Sequence, residues 1–135
     1  NLESLEWLSL SNNDLQFLPD SISKLASLLD LYLEENKFMS LPDSIGNFKN
    51  LRSLHLENNK LIGIPAAIGK LQSLSSLYLE GNELSFLPES ILTLNSLRSL
   101  DLRNNPLSNS PDKSTKKLLE DLKRKGVFIK AKDEN

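Results

Sequence analysis

Leucine returns along this chain at a fixed spacing, and polar residues alternate with it. The stretches LSLSNN (8–13), LYLEEN (31–36), LHLENN (54–59), LYLEGN (77–82) and LDLRNN (100–105) are each offset by 23 residues. Units beginning at Leu5, Leu28, Leu51, Leu74 and Leu97 share one frame. Within it, apolar residues fill slots one, four and six, asparagine slot nine and proline slot fifteen. Leucines at slots four and six, with polar residues between and beside them, have the period of a half-buried strand. Asn13, Asn36, Asn59, Asn82 and Asn105 follow where each strand must turn. A carboxamide has donors and an acceptor, so it suits backbone groups that a buried turn leaves unpaired. Pro19, Pro42, Pro65, Pro88 and Pro111 fix φ and stop the sheet. The return leg then carries Ile and Leu or Phe three residues apart, which predicts one helical or 3-10 turn. A single unit leaves both faces of its leucine layer bare, so only stacked units are stable, and the pattern predicts a solenoid.

The full unit reads L-x-x-L-x-L-x-x-N-x-L/F-x-x-L/I-P-x-x-I-x-x-L/F, and it recurs without an insertion until the fifth copy breaks off after Pro111. It resembles the leucine-rich repeat family in its 23-residue form, over residues 2–111. The resemblance implies an α/β fold: a right-handed horseshoe with a concave parallel β-sheet and short convex turns or 3-10 segments. It is specific for fold and unspecific for function, and no cofactor is expected. Similar repeats occur in intracellular scaffolds that bind small GTPases, in plant intracellular proteins, and in secreted or surface proteins of pathogenic bacteria, spirochaetes among them. The uniformity of the units favours a bacterial, spirochaete-like array. Such a protein would be secreted or at the cell surface, whereas a scaffold would be cytoplasmic, and the sequence leaves the compartment open.

Two regions follow: a repeat array over 1–111 and a C-terminal cap over 112–135. Leu2 falls on slot twenty-one of a preceding unit, so a missing N-terminal part is expected. The leading leucine layer and strand edge are then open, and such edges invite a second chain. A homodimer through that edge is one expectation. In the cap, Ser110-Pro111-Asp112 reads as an N-cap with proline at the first helical position. Leu118, Leu119 and Leu122 supply an apolar face, and Gly126 suits the C′ site. Val127-Phe128-Ile129 reads as a last short strand, and residues 130–135 are expected to fray. Lys123-Arg124-Lys125 favours the helix C-terminus electrostatically. The rival reading of that cluster is a patch for anionic lipid or nucleic acid.

Charge and composition narrow the classes. Residues 1–111 hold 8 basic and 13 acidic side chains, net −5, and residues 112–135 hold 8 and 5, net +3. An acidic body is a poor surface for nucleic acid. No apolar run reaches the roughly 18 residues of a membrane span. With no cysteine, disulfides, thiolate metal sites and a cysteine nucleophile drop out.

Candidate chemistry lies in the slots that alternate with the leucines. Slot three reads Trp7, Asp30, Ser53, Ser76, Ser99; slot five reads Ser9, Tyr32, His55, Tyr78, Asp101; slot seven reads Ser11, Glu34, Glu57, Glu80, Arg103. The framework is uniform and these columns vary, so specificity is written here. His55 and Glu57 suggest a catalytic pair, but an open sheet offers no pocket, and the chain has no second histidine for a usual zinc set. Carboxylates on adjacent strands at roughly 5 Å repel by only about 0.8 kcal/mol in water, so the glutamate column demands no cation. Aromatics beside charges are the composition of a recognition surface. The sequence therefore predicts a non-catalytic, metal-free site for a protein partner with a basic surface. Tyr32, His55 and Tyr78 would be anchors, Glu34, Glu57 and Glu80 would select charge, and Trp7, Asp30, Asp101 and Arg103 would extend the patch.

Overall fold

The computed structural model describes residues 2–132. Within them six strands form one parallel sheet in chain order. They are β1 Trp7–Ser9, β2 Asp30–Tyr32, β3 Ser53–His55, β4 Ser76–Tyr78, β5 Ser99–Asp101 and β6 Phe128–Lys130. The register never slips: Leu8, Leu31, Leu54, Leu77, Leu100 and Ile129 pair in one row. This is the expected right-handed solenoid with the sheet on its concave side.

Proline shapes the convex side. Pro19, Pro42, Pro65 and Pro88 hold φ between −69° and −72° and precede 3-10 turns at Asp20–Lys24, Asp43–Asn47, Ala66–Lys70 and Glu89–Thr93. Each proline carbonyl accepts from the isoleucine three residues on, at 3.0–3.1 Å. That bond turns the isoleucine inward, and Ile45, Ile68 and Ile91 are fully buried. They complete layers built from Leu28, Leu31, Leu33, Phe38 and their equivalents in the next repeats. The first layer is less covered: Leu5, Leu8, Leu10 and Leu15 are only partly buried.

The slot-nine asparagines join neighbouring repeats. Asn59 Nδ2 donates to the Leu33 and Leu56 carbonyls at 3.0 and 3.1 Å, and its Oδ1 accepts from the Phe38 amide at 3.1 Å. Asn36, Asn82 and Asn105 repeat this pattern on their own neighbours. Each slot-six carbonyl from Leu10 to Leu79 thus receives one amide from its own repeat and one from the next. Asn13 is exposed and bonds only within its own loop, to Leu10 and Ser11.

The turn before each asparagine has its own demand. Slot eight is left-handed in every repeat: Asn12, Glu35, Asn58, Gly81 and Asn104 have φ of 59°, 59°, 56°, 74° and 57°. Glycine and asparagine adopt this conformation readily, and glutamate does so at a cost of about 1 kcal/mol. A Cβ on Gly81 would also lie 2.2 Å from Asn58 Oδ1.

At the C-terminal end the chain leaves the repeat with a helical turn, α1 Pro106–Asn109, which starts on the proline after Asn105. A twelve-residue helix, α2 Lys113–Arg124, follows. Its N-cap is Asp112, not Ser110, and Pro111 lies outside the helix. The reason is local: Asp112 Oδ1 reaches the Thr115 amide at 2.8 Å, while Ser110 is already the C-cap of α1. Donors from Thr115 and Ser114 hold the Asp112 carboxyl below the usual carboxylate range. Leu118 and Leu122 are buried against the last layer, and Leu119 is partly buried. The helix closes on Gly126, at φ 94°, with Gly126 N bonded to Lys123 O and Val127 N to Leu122 O. Val127 is therefore spent on this closure, and the last strand starts one residue later than the sequence suggests. In the basic cluster, Arg124 pairs with Asp121 at 2.8 Å and Lys125 Nζ donates to the Leu92 carbonyl. Of the tail expected to fray, Lys130 is instead paired in β6, where its carbonyl accepts from the Leu102 amide, and residues 133–135 lie outside the described residues.

Asn59→Ala orphans the Phe38 amide and strips one donor from each of two buried carbonyls. It is expected to cost about 2–4 kcal/mol in urea unfolding, against less than about 1 kcal/mol for Asn13→Ala. Equal losses at the two sites would contradict the sharing of bonds between repeats. Gly81→Ala is expected to destabilise by about 1–3 kcal/mol, and Glu35→Asn to stabilise by several tenths of a kcal/mol. Asp112→Ala is expected to lower stability at neutral pH. A depressed folded pKa contributes stability above the unfolded value, lost as pH falls through the folded one. The difference between Asp112→Ala and the parent should therefore close as pH falls through and below the usual carboxylate range in acid titrations followed by circular dichroism.

Candidate binding face

Strand pairing sets the outward side chains in columns. Trp7, Asp30, Ser53, Ser76, Ser99 and Phe128 lie in one register row, and Ser9, Tyr32, His55, Tyr78, Asp101 and Lys130 in another. Ser11, Glu34, Glu57, Glu80 and Arg103 follow just past the strand ends.

Parallel strands about 4.8 Å apart bring rings in one column to stacking distance. Tyr32 and His55 stack at 4.3 Å and 15°, and His55 and Tyr78 at 4.2 Å and 12°. Trp7 leans on Tyr32 at 5.3 Å and 47°, and it remains 56% exposed. The aromatics thus form one ridge across β1–β4. Both faces of the imidazole are covered, its side chain is 17% exposed, and its Nδ1 lies 3.5 Å from Glu57 Oε2. A histidine stacked on both sides has neither ring face left open.

Several charged members of the expected patch are already engaged, with one another or with residues beside them. Asp30 accepts from Arg52 at 3.3 and 3.2 Å and from Ser53 at 2.6 Å. Burial alone would raise its pKa, but these bonds outweigh it and hold the carboxyl below its ordinary range. Asp101 shows the same balance: burial raises, and the Arg103 bonds at 2.9 and 2.7 Å lower it further. Arg103 also reaches Glu80 at 3.2 Å. Glu34 and Glu57 differ from these. Each has a carboxylate oxygen, Oε1, that is shut off from solvent and accepts no hydrogen bond. An enclosed acceptor without a donor is costly. Among the described residues, no three His, Cys, Asp or Glu side chains gather in a metal-binding group.

The sequence columns stop at Asp101 and Arg103, but the face does not. β6 continues it with Phe128, 62% exposed, and Lys130. Between Tyr78 and these residues is a cavity of about 280 Å³, lined also by Ser99, Leu100 and Asp101. Its far wall escapes a repeat alignment because β6 belongs to the cap. The signal was the apolar alternation after Gly126, shifted by one residue. A second feature lies off the sheet: Phe17, Met39, Ile62 and Phe86 are exposed, one per repeat. Slots twelve and thirteen carry them, and their regular recurrence is visible in the sequence once those slots are aligned.

Comparison with known proteins agrees with this architecture. The leucine rich repeat family model matches residues 1–38 and 49–107. The solved structure of a leucine-rich repeat protein of Leptospira interrogans is similar, with a TM-score of 0.86 and 38% sequence identity. The similarity covers 95% of this chain and 31% of that one, so this chain spans under a third of that protein's length. No curated protein matches the chain. By sequence and by fold, the chain belongs to the leucine-rich repeat family.

Proposed function

We propose that the concave face recognises a protein partner with a basic surface, without catalysis. The leucine-rich repeat fold is a common protein-interaction module. The observation that carries the finer reading is a pair of partly exposed carboxylates, Glu34 and Glu57, that no lysine or arginine among the described residues neutralises, whereas Arg103 holds Glu80. A lysine or arginine from a partner supplies that cation at their exposed edges, and charge-assisted bonds of this kind are the stronger class. The ridge of Trp7, Tyr32, His55 and Tyr78 supplies rigid aromatic area alongside. Glu80, Asp30, Asp101 and Arg103 hold the borders of the patch in fixed geometry. The likeness to a Leptospira protein supports a bacterial setting; for that setting the reading is a secreted or surface protein that engages host proteins. Among the described residues, no helix is long and apolar enough to cross a membrane.

A second reading rests on the leading repeat. Leu5, Leu8, Leu10 and Leu15 are partly buried, where Leu28, Leu31, Leu33 and Phe38 one repeat on are fully buried. Self-association through this end would cover that layer and the outer edge of β1. Light scattering over a concentration series separates the two readings, and a monomer throughout removes the second.

The first reading is tested by immobilising the chain beside a triple variant, Tyr32→Ala, Glu57→Lys, Tyr78→Ala. Both are exposed to host-cell and extracellular-matrix extracts at low and high salt. The parent is expected to retain a protein that the variant retains about tenfold less or not at all, and salt should weaken the capture. Identical retention by both would set the concave reading aside.

A further inference from the structure

The cavity at the C-terminal end of the concave face continues the aromatic ridge. We propose that it takes an aromatic side chain, tryptophan or tyrosine, from a protein partner, stacked on the open face of Tyr78. This inference rests on the concave-face reading and gives that site a chemical class.

The argument begins with the ridge. Tyr32, His55 and Tyr78 sit in one register row at 4.3 and 4.2 Å spacing. His55 covers one face of Tyr78, so the other looks along the row towards β5. The next residue in the row is Asp101, and it does not stand up as a fourth member. It is buried, and Arg103 holds its carboxylate through Nε, a terminal nitrogen and the backbone amide at 2.9, 2.7 and 3.2 Å. The row resumes only at Lys130 on β6. Two strand spacings separate Tyr78 from Lys130, roughly 9–10 Å. That is the room one more ring needs between two flanking groups. The cavity of about 280 Å³ lies there, with Ser99, Leu100 and Asp101 beneath it and Phe128 on its flank.

The lining chooses the occupant. Tyr78 and Phe128 offer two aromatic surfaces, and rings pair best in offset or edge-to-face contact. Lys130 lines the site with an ammonium, which is drawn to the face of an electron-rich ring and repels a guanidinium. Asp101 does not reverse this preference, because Arg103 already balances its charge. A basic side chain is therefore suited to Glu34 and Glu57, and a neutral aromatic one to this cavity.

The test uses N-acetyltryptophanamide and N-acetyltyrosinamide as probes, with N-acetylleucinamide and N-acetylargininamide as controls. Binding is followed by amide NMR shifts on the full chain. The aromatic probes are expected to give saturable, millimolar binding, with the largest shifts at Ser99, Leu100, Phe128 and Lys130. Lys130→Ala should weaken it about threefold and Tyr78→Ala about fivefold. Ser99→Phe, which fills the cavity from its floor, should abolish it. If that variant is misfolded by circular dichroism, Lys130→Ala and Tyr78→Ala still decide. Shifts that do not saturate, that cluster elsewhere, or that the leucine probe reproduces equally would overturn the proposal. The triple-variant capture reads the concave face as a whole, Tyr78 included, whereas the probes read the cavity alone. Loss of capture with no probe binding would sink the aromatic cavity alone and leave recognition by the concave face standing.

Discussion

A buried asparagine that bonds backbone groups in two repeats is the interaction on which the array depends. Each strand has only three residues, so the ladder between neighbours is short. The chain must then turn sharply towards the convex side, and the turn leaves amides and carbonyls inside the molecule. Water cannot reach them. One carboxamide per repeat satisfies its own slot-six carbonyl, the preceding one, and the preceding slot-eleven amide. Aspartate has no donors for the carbonyls, and a hydroxyl is too short to span both repeats. The residue type is dictated by the number and direction of the bonds. Translation by one repeat reproduces the arrangement, so leucine layers, proline turns and outward columns all inherit its period.

That period has a consequence for the face that could bind. Side chains in one column are brought to strand spacing whether or not they attract one another. Rings make use of it by stacking, as Tyr32, His55 and Tyr78 do. Like charges do not, and the glutamate column shows two responses. Glu80 is neutralised by Arg103 on the next repeat. Glu34 and Glu57 have another glutamate or a tyrosine-lined row beside them, and each keeps an unbonded oxygen. The face is therefore satisfied at its C-terminal border and unsatisfied at its middle.

Most of the fold was legible because it is periodic. The strands, the 3-10 turns and the inward isoleucines follow from slots that repeat five or four times. The concave columns were legible for the same reason, since a period-two strand fixes which side chains point out. What escaped reading was aperiodic or depended on partners. The cap was misplaced by two residues because Ser110 and Asp112 are both good N-cap types, and only the reach of Asp112 to Thr115 decides between them. Phe128 and Lys130 were missed as members of the face because a repeat alignment ends before β6. The slot-seven column already sets Arg103 next to Glu80 and away from Glu34 and Glu57, and what it could not give is the side-chain geometry by which the two pair.

The two subsites proposed on this face also constrain each other. Glu57 follows β3 and the aromatic cavity lies over β5, so two strand spacings, roughly 10 Å, separate them. An extended chain advances about 3.3 Å per residue. A single segment crossing the strands would therefore meet both sites with residues about three apart, one basic and one aromatic. A helix crossing in the same direction would do so with residues farther apart in sequence, since its rise is about 1.5 Å per residue. The sheet is six strands wide, so both sites lie within its span. Spacing between a cation and a ring is thus the feature that a partner's sequence would have to match, and it follows from the strand spacing that the asparagines enforce.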